Sequence, residues 1–283
     1  MKILEQGLFT GERALYNSRD VKIYDSTFAD GESPLKESRE VQLFGCIFKW
    51  KYPLWYCKNI TAEGSVLLET ARSGIWYTDN ITMTDCVIEA PKTFRRSSNI
   101  KLVKCNMPNA KESFWNCREI SLIDVSAAGD YFGMNSENIY AENLIINGNY
   151  AFDGAKNIEI NEARLISKDA FWNSENVTVR NSVIIGEYLG WNSRNITFEN
   201  CTIESNQGMC YMENVRLVNC KLLNTDLSFE YSTVDAEVTT EIDSVKNPIS
   251  GKIRAKAIRE LILEQTLVDP EKTEIITEED VKI

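Results

Sequence analysis

Residues 171–184 read FWNSENVTVRNSVI, and residues 189–203 say it again as LGWNSRNITFENCTI. In both copies a β-branched residue follows Asn, as Val177 and Ile196. Taken as an anchor, that residue recurs outward in both directions, as Val21, Val41, Ile60, Ile81, Ile100, Ile120, Ile139, Ile158 and Val215, at steps of 19 to 21 residues. The period runs from about residue 12 to residue 223 with no Gly/Ser or Pro-rich linker. So short a repeat, sustained so long, means a solenoid in which each copy packs mainly on its neighbours.

Within each copy, the anchor and the residue two after it alternate with polar positions, as in Val177-Thr178-Val179. That is the period of a half-buried strand. A second apolar set falls seven after the anchor, including Phe28, Phe48, Leu67, Ile184 and Ile203. A third falls six before it, including Leu35, Phe94, Phe114 and Phe171, with Gly133 and Gly190 as exceptions. Two or three short strands joined by polar corners make one rung of an all-β, single-stranded parallel β-helix, right-handed by the usual rule for parallel crossovers. The LxxLxLxxN pattern of leucine-rich repeats and the six-residue period of hexapeptide coils are both missing. The expected organisation is one domain over residues 1–283. Residues 1–14 cap the lower end, 15–223 form about eleven regular rungs, and 224–283 form irregular rungs and a C-terminal cap. The polar stretch Asn247-Pro-Ile-Ser-Gly251 is the expected stop, residues 251–264 fit helix or strand, and the charged close is expected to be peripheral.

Composition narrows the function by exclusion. Forty-two acidic against 31 basic side chains give a formal charge of -11. A nucleic-acid partner would need a basic stripe, so none is expected. No apolar stretch approaches the roughly 20 residues of a membrane span, and the opening MKILEQGLFTGERALYNS has no signal-peptide core. The chain contains no histidine, which removes Ser-His-Asp and Cys-His catalysis and His-based zinc sites. No metal or cofactor is expected. The eight cysteines follow the repeat, none is arranged as CxxC, and a reduced, cytoplasmic chain is the simplest reading. Cys46, Cys86, Cys105, Cys201 and Cys220 all stand five after their anchors and read as small core residues. The Ser-rich column three before the anchor reads as corner hydrogen bonding, and the Asn-rich column one before it as left-handed corners.

One column resists a purely structural reading. Five before the anchor stand Trp55, Trp76, Arg95, Trp115, Asp153, Trp172 and Trp191, so five of the six tryptophans share one position. Tyr56, Tyr77, Arg96 and Tyr211 flank it one residue later. Strand alternation with the apolar position six before the anchor sends this column outward. An outward Trp/Tyr face serves an oligosaccharide through stacked rings, or a homodimer or other protein partner. Two structural readings compete: cover by the chain's own terminal segment, or a turn that tucks the rings inside.

The chain also resembles a bacterial family of uncharacterised right-handed parallel β-helix proteins, the DUF3737 family. The likeness rests on Gly11-Glu12-Arg13-Ala14-Leu15, on the WNSRNI and WNCREI repeats and on the Lys246-Asn-Pro-Ile-Ser-Gly251 close. It implies a pectin-lyase-like coil and brings no catalytic residues. Among coils of that architecture, lyases use a basic residue beside acidic groups and hydrolases use paired carboxylates. Arg95, Arg96, Asp130 and Asp153 are the only residues here that invite the comparison. Arg95 and Asp153 fall three rungs apart, about 14 Å at the strand spacing, too far for a working pair. Non-catalytic binding or self-association is therefore the first expectation, and a carbohydrate-active enzyme beside the same face is the alternative.

Overall fold

A computed structural model of the protein describes residues 2–278. Almost all of its regular structure is short parallel strands, and the chain winds through about 15 turns of a β-solenoid. It divides into two compact units, Met1–Ile145 and Ile146–Ile283.

In the first unit the anchors stack in register. Val21 pairs with Val41, Val41 with Ile60, Ile60 with Ile81, Ile81 with Ile100 and Ile100 with Ile120. The second apolar column stacks likewise, Phe28 on Phe48, Phe48 on Leu67 and Leu67 on Ile88. Each interior position therefore meets its own copy above and below, and the core is a set of ladders. Phe28 and Phe48 stack at 4.6 Å with their planes 2° apart, and Phe94 and Phe114 stack at 4.6 Å. These rings and the anchors are buried.

In the second unit Ile158, Val177, Ile196, Val215 and Val234 form one ladder and Leu165, Ile184, Ile203 and Leu222 another. A separate two-stranded parallel sheet, Glu241–Lys246 with Ala257–Ile262, lies beside the later rungs.

The corners are what the polar columns make. The residue one before the anchor is left-handed throughout, for example Asn59 (φ 56°), Asn80 (φ 59°), Asn176 (φ 56°) and Asn195 (φ 55°). Asparagine accepts that backbone more readily than most residues. Its side chain then hydrogen-bonds its own copy: Asn80 donates to Asn59 at 2.7 Å, Asn195 to Asn176 at 3.0 Å and Asn214 to Asn195 at 2.9 Å. The Ser column does as expected. Thr78 N–H donates to Ser97 Oγ at 3.1 Å, Cys117 N–H to Ser136 Oγ at 2.9 Å, and Thr78 Oγ1 donates to the Leu54 carbonyl at 2.7 Å. The Cys column is buried, and all eight cysteines are free thiols.

Both ends differ from expectation. Residues 1–14 are not an atypical cap: Lys2–Glu5 pairs with Arg19–Tyr24 and Leu8–Phe9 with Thr27–Phe28, which makes one more rung. Asn247-Pro-Ile-Ser-Gly251 does not stop the coil. Thr233–Val238 pairs with Ser250–Ala255, and that strand with Thr273–Thr277. Residues 251–264 hold strand and no helix, and the close up to residue 278 is in part a paired strand, not a peripheral tail. The remaining residues of the close lie outside the described ones. These rungs hid because Gly251 and Thr273 occupy the anchor's place. Gly251 is required there: its φ is +123°, and a Cβ would lie 1.8 Å from the Val234 carbonyl oxygen. The coil thus has about 15 turns where about eleven regular ones were expected.

A charge on an inner ladder should be costly, because it faces apolar copies on both sides. Ile160, 1% exposed and paired with Val179, is such a position. Ile160→Asp is expected to lower stability by about 4 kcal/mol, read as a fall in the urea midpoint with an unchanged slope.

Candidate functional site

The Trp column is not the free outward face that alternation implied. The residue eight before each anchor is also left-handed, as at Ser73 (φ 55°), Lys92 (φ 57°) and Tyr131 (φ 59°), and so is the one four before, as at Tyr56 and Tyr77 (both φ 56°). Between these two corners the chain does not run as a strand, so the side chains do not alternate. The five tryptophans of the column are half-buried. The indole N–H groups of four of them reach the left-handed corner of the next rung. Trp55 donates to the Ser73 carbonyl at 2.6 Å, Trp76 to Lys92 at 2.8 Å, Trp115 to Tyr131 at 2.8 Å and Trp191 to Gln207 at 2.6 Å.

Their faces are occupied as well. In the first unit Trp55 stacks on Trp76 at 5.1 Å and 8°. Arg95 lies between rings, its guanidinium carbon 5.0 Å from the centre of Trp76 and 4.3 Å from that of Trp115. Its Nη2 contacts Glu112 at 2.7 Å, and Lys92 Nζ approaches the same carboxylate oxygen at 3.3 Å. Arg95 is thus part of a stack and an ion pair, with its Nε buried and unpartnered. In the second unit Trp172, Trp191, Tyr211 and Tyr231 follow one another at 5.0 to 5.6 Å with tilted planes. Cys210, which ends the column, is buried, and burial pushes its thiol up to about 12.

The surface of the first unit is formed one residue later. Tyr56 and Tyr77 are 47% and 36% exposed and stack at 4.7 Å with planes 4° apart. Lys36 lies 5.6 Å from the centre of Tyr56 and Arg96 5.9 Å from that of Tyr77. The order along the stack is cation, ring, ring, cation, so solvent meets ring edges, phenol hydroxyls and charge. Tyr56 and Tyr77 line an open depression with Arg19, Lys36, Glu37 and Arg39. Next along this unit, Arg96, Asn116, Arg118 and Asn135 line another. Among the described residues, Arg19, Lys36, Arg39, Arg96 and Arg118 have no carboxylate at ion-pair distance, in a chain of net charge -11.

The enzyme candidates separate on inspection. Arg95, Arg96 and Asp130 belong to the first unit and Asp153 to the second. Arg95 is neutralised by Glu112, and Arg96 is exposed over Tyr77. The Asp130 carbonyl accepts the Glu112 N–H at 2.8 Å. Asp153 is half-buried, which raises its carboxyl above the usual range, against a 3.4 Å bond from Asn173. It has an unforeseen neighbour in Asp169. Asp169 is 2% exposed and its Oδ1 has no hydrogen-bond partner. Burial raises its carboxyl, opposed by Lys168 and by a bond with Tyr150, while Glu187 and Asp153 add to the rise. The position eight before the anchor, which Asp169 fills, varies so freely along the chain that nothing in the sequence singled it out. Among the described residues no group of three or more His, Cys, Asp or Glu could hold a metal ion, and no helix is long and apolar enough to cross a membrane.

A raised carboxyl means that folded Asp169 keeps its proton where the unfolded chain has lost it. Its contribution to stability therefore declines as pH rises from the ordinary Asp range through the folded value. Asp169→Asn should raise the urea midpoint at pH 7 and leave it close to wild type below about pH 4; an equal offset at both pH values would exclude the charge as its cause.

Several solved structures match the chain at low identity. The chain matches PfbA, a surface adhesin of Streptococcus pneumoniae, at 11% identity and TM-score 0.38, covering 78% of this chain and 71% of that one. It matches the tailspike protein of E. coli bacteriophage HK620, solved with a pentasaccharide, at 9% and 0.41, covering 98% and 70%. It matches the A-module of the Azotobacter vinelandii mannuronan C-5 epimerase AlgE4 at 9% and 0.27, covering 99% and 88%. Similarity at this level concerns the fold alone. No curated protein sequence matches the chain. The model of the protein of unknown function family DUF3737 matches residues 2–276. With nearly its whole length accounted for by that match, the chain belongs to the DUF3737 family.

Proposed function

We propose that the protein is a non-catalytic carbohydrate-binding protein whose ligand lies along the exposed edge of the Tyr56–Tyr77 stack in the first unit. One observation carries the reading: four cations without carboxylate partners, Arg19, Lys36, Arg39 and Arg96, flank the exposed, stacked Tyr56 and Tyr77. Tyr edges, Asn amides and Glu37 supply the hydrogen-bonding groups that sugar hydroxyls need. The ring faces are occupied, so recognition is by hydrogen bonds and charge and not by stacking.

Self-association through this strip is less favourable, since a two-fold contact would set its cations against themselves. Catalysis is also less favourable. Arg95 is held in an ion pair, and Asp169, the more buried of the two raised carboxyls, is out of reach of a substrate. The free thiols fit a reducing compartment, most simply the cytoplasm.

Asparagine fills the Tyr56 and Tyr77 position in other rungs, as Asn116, Asn173 and Asn192, with the same left-handed backbone. Tyr56→Asn/Tyr77→Asn should therefore fold normally. A glycan-array screen is expected to find carbohydrate retained by the wild type and lost by the double variant, at nearly equal melting temperature. Equal retention by both, or none by the wild type, would refute the proposal.

A further inference from the structure

Three of the cations on this strip are stacked. Arg19 and Arg39 are register partners on adjacent parallel strands, and Arg39 and Lys58 are register partners on the next pair. Their backbones are thus separated by the inter-strand spacing of about 4.8 Å. Like charges directly opposite on neighbouring strands destabilise a sheet. The first unit handles that column differently one rung on, where Lys58 meets Asp79 at 3.7 Å. Arg19 and Arg39 have no carboxylate at ion-pair distance, and two of the carboxylates close by in sequence are engaged elsewhere. Glu37 accepts from Tyr16 Oη at 2.8 Å, and Glu40 accepts from the Asn59 amide. Arg19 is held toward Asn17 Oδ1 at 2.7 Å. Lys36, half-buried over Tyr56, adds a third positive group to the depression that Arg19 and Arg39 line beside Glu37.

We infer that this column takes a linear acidic polysaccharide with one anionic group per sugar, laid along the stacking direction of the first unit so that successive anions meet Arg19 and Arg39, with Lys58 held by Asp79 marking where the row ends. This rests on the carbohydrate-binding reading above and names its ligand class. A repeating row of cations at one per rung fits a repeating row of anions, and a guanidinium can grip a carboxylate or sulfate through two N–H groups. The Tyr56 and Tyr77 hydroxyls then face the sugar hydroxyls. Nucleic acid fits less well, because the ring faces that would stack bases are covered by Lys36, Arg96 and each other.

The test titrates the full chain by calorimetry with polygalacturonate, a sulfated glycan, a neutral glucan, inorganic polyphosphate and single-stranded DNA. Wild type is expected to bind one of the two acidic polysaccharides, with affinity falling steeply as salt rises. Arg19→Gln/Arg39→Gln should weaken that binding at least about tenfold, while Arg216→Gln in the second unit leaves it unchanged. The double variant should melt at or above the wild-type temperature, since it removes a like-charge contact. Binding of the neutral glucan alone, with the double variant unaffected, would overturn the acidic-ligand inference and leave carbohydrate binding standing. Preference for polyphosphate or DNA would overturn the ligand class, and no carbohydrate binding at all would overturn both. Melting of the double variant well below wild type would make the two arginines structural and sink the column as a site.

Discussion

Every side chain in this coil stands about 4.8 Å from its own counterpart on the next rung, and most of the structure follows from that. An inward position must suit a copy of itself above and below, so between the terminal rungs the ladders hold mostly Val, Ile, Leu and Phe and are buried. A corner position must bend the same way each time, so it recurs with φ near 55°, as at Asn59, Asn176 and Asn195. Asparagine meets both demands, since its amide can donate to the rung before and accept from the rung after, as Asn176 and Asn195 do. Serine ties rungs at the inner corner, as Ser193 Oγ accepts the Ser174 N–H and donates to the Phe171 carbonyl, both on the rung before.

The same constraint sorts the outward columns. Aromatic rings gain by standing on their own kind, and so do amides. Charges do not. Where a column alternates in sign the coil forms ion pairs between rungs, as Lys156 with Glu175 and Arg194 with that same Glu175. Where that column keeps one sign over successive rungs, as at Arg19 and Arg39, the charges oppose stacking. In a fold that rewards repetition, a repeated feature that costs stability is the one that points beyond the fold.

Much of this was legible in the sequence, for a physical reason. Val177 and Ile196 sit on true strands, where side chains alternate, and the period-2 reading places them inward as found. Trp115 and Trp172 sit between two left-handed corners, where alternation does not apply, and the same reading sends them outward when they are half-buried. The terminal rungs were missed because Lys2, Gly251 and Thr273 fill the anchor's place without its chemistry. Asp169 was missed because its column has no consensus to depart from. The cations of the strip were visible as residues, but that they lack partners is a property of three-dimensional neighbours and could not be read from their order.

In the proposed reading the tryptophan column belongs to the fold, and the tyrosine edge with its cations meets the ligand. Hydrogen exchange of the indole N–H groups, followed by nitrogen-15 NMR, tests this directly. Trp55, Trp76, Trp115 and Trp191 donate to backbone carbonyls, whereas Trp50 is 38% exposed. The expected result is slow exchange for those four and fast exchange for Trp50. Exchange as fast as Trp50 at all four would mean that the indoles are open to solvent, and would return the tryptophans to the binding face.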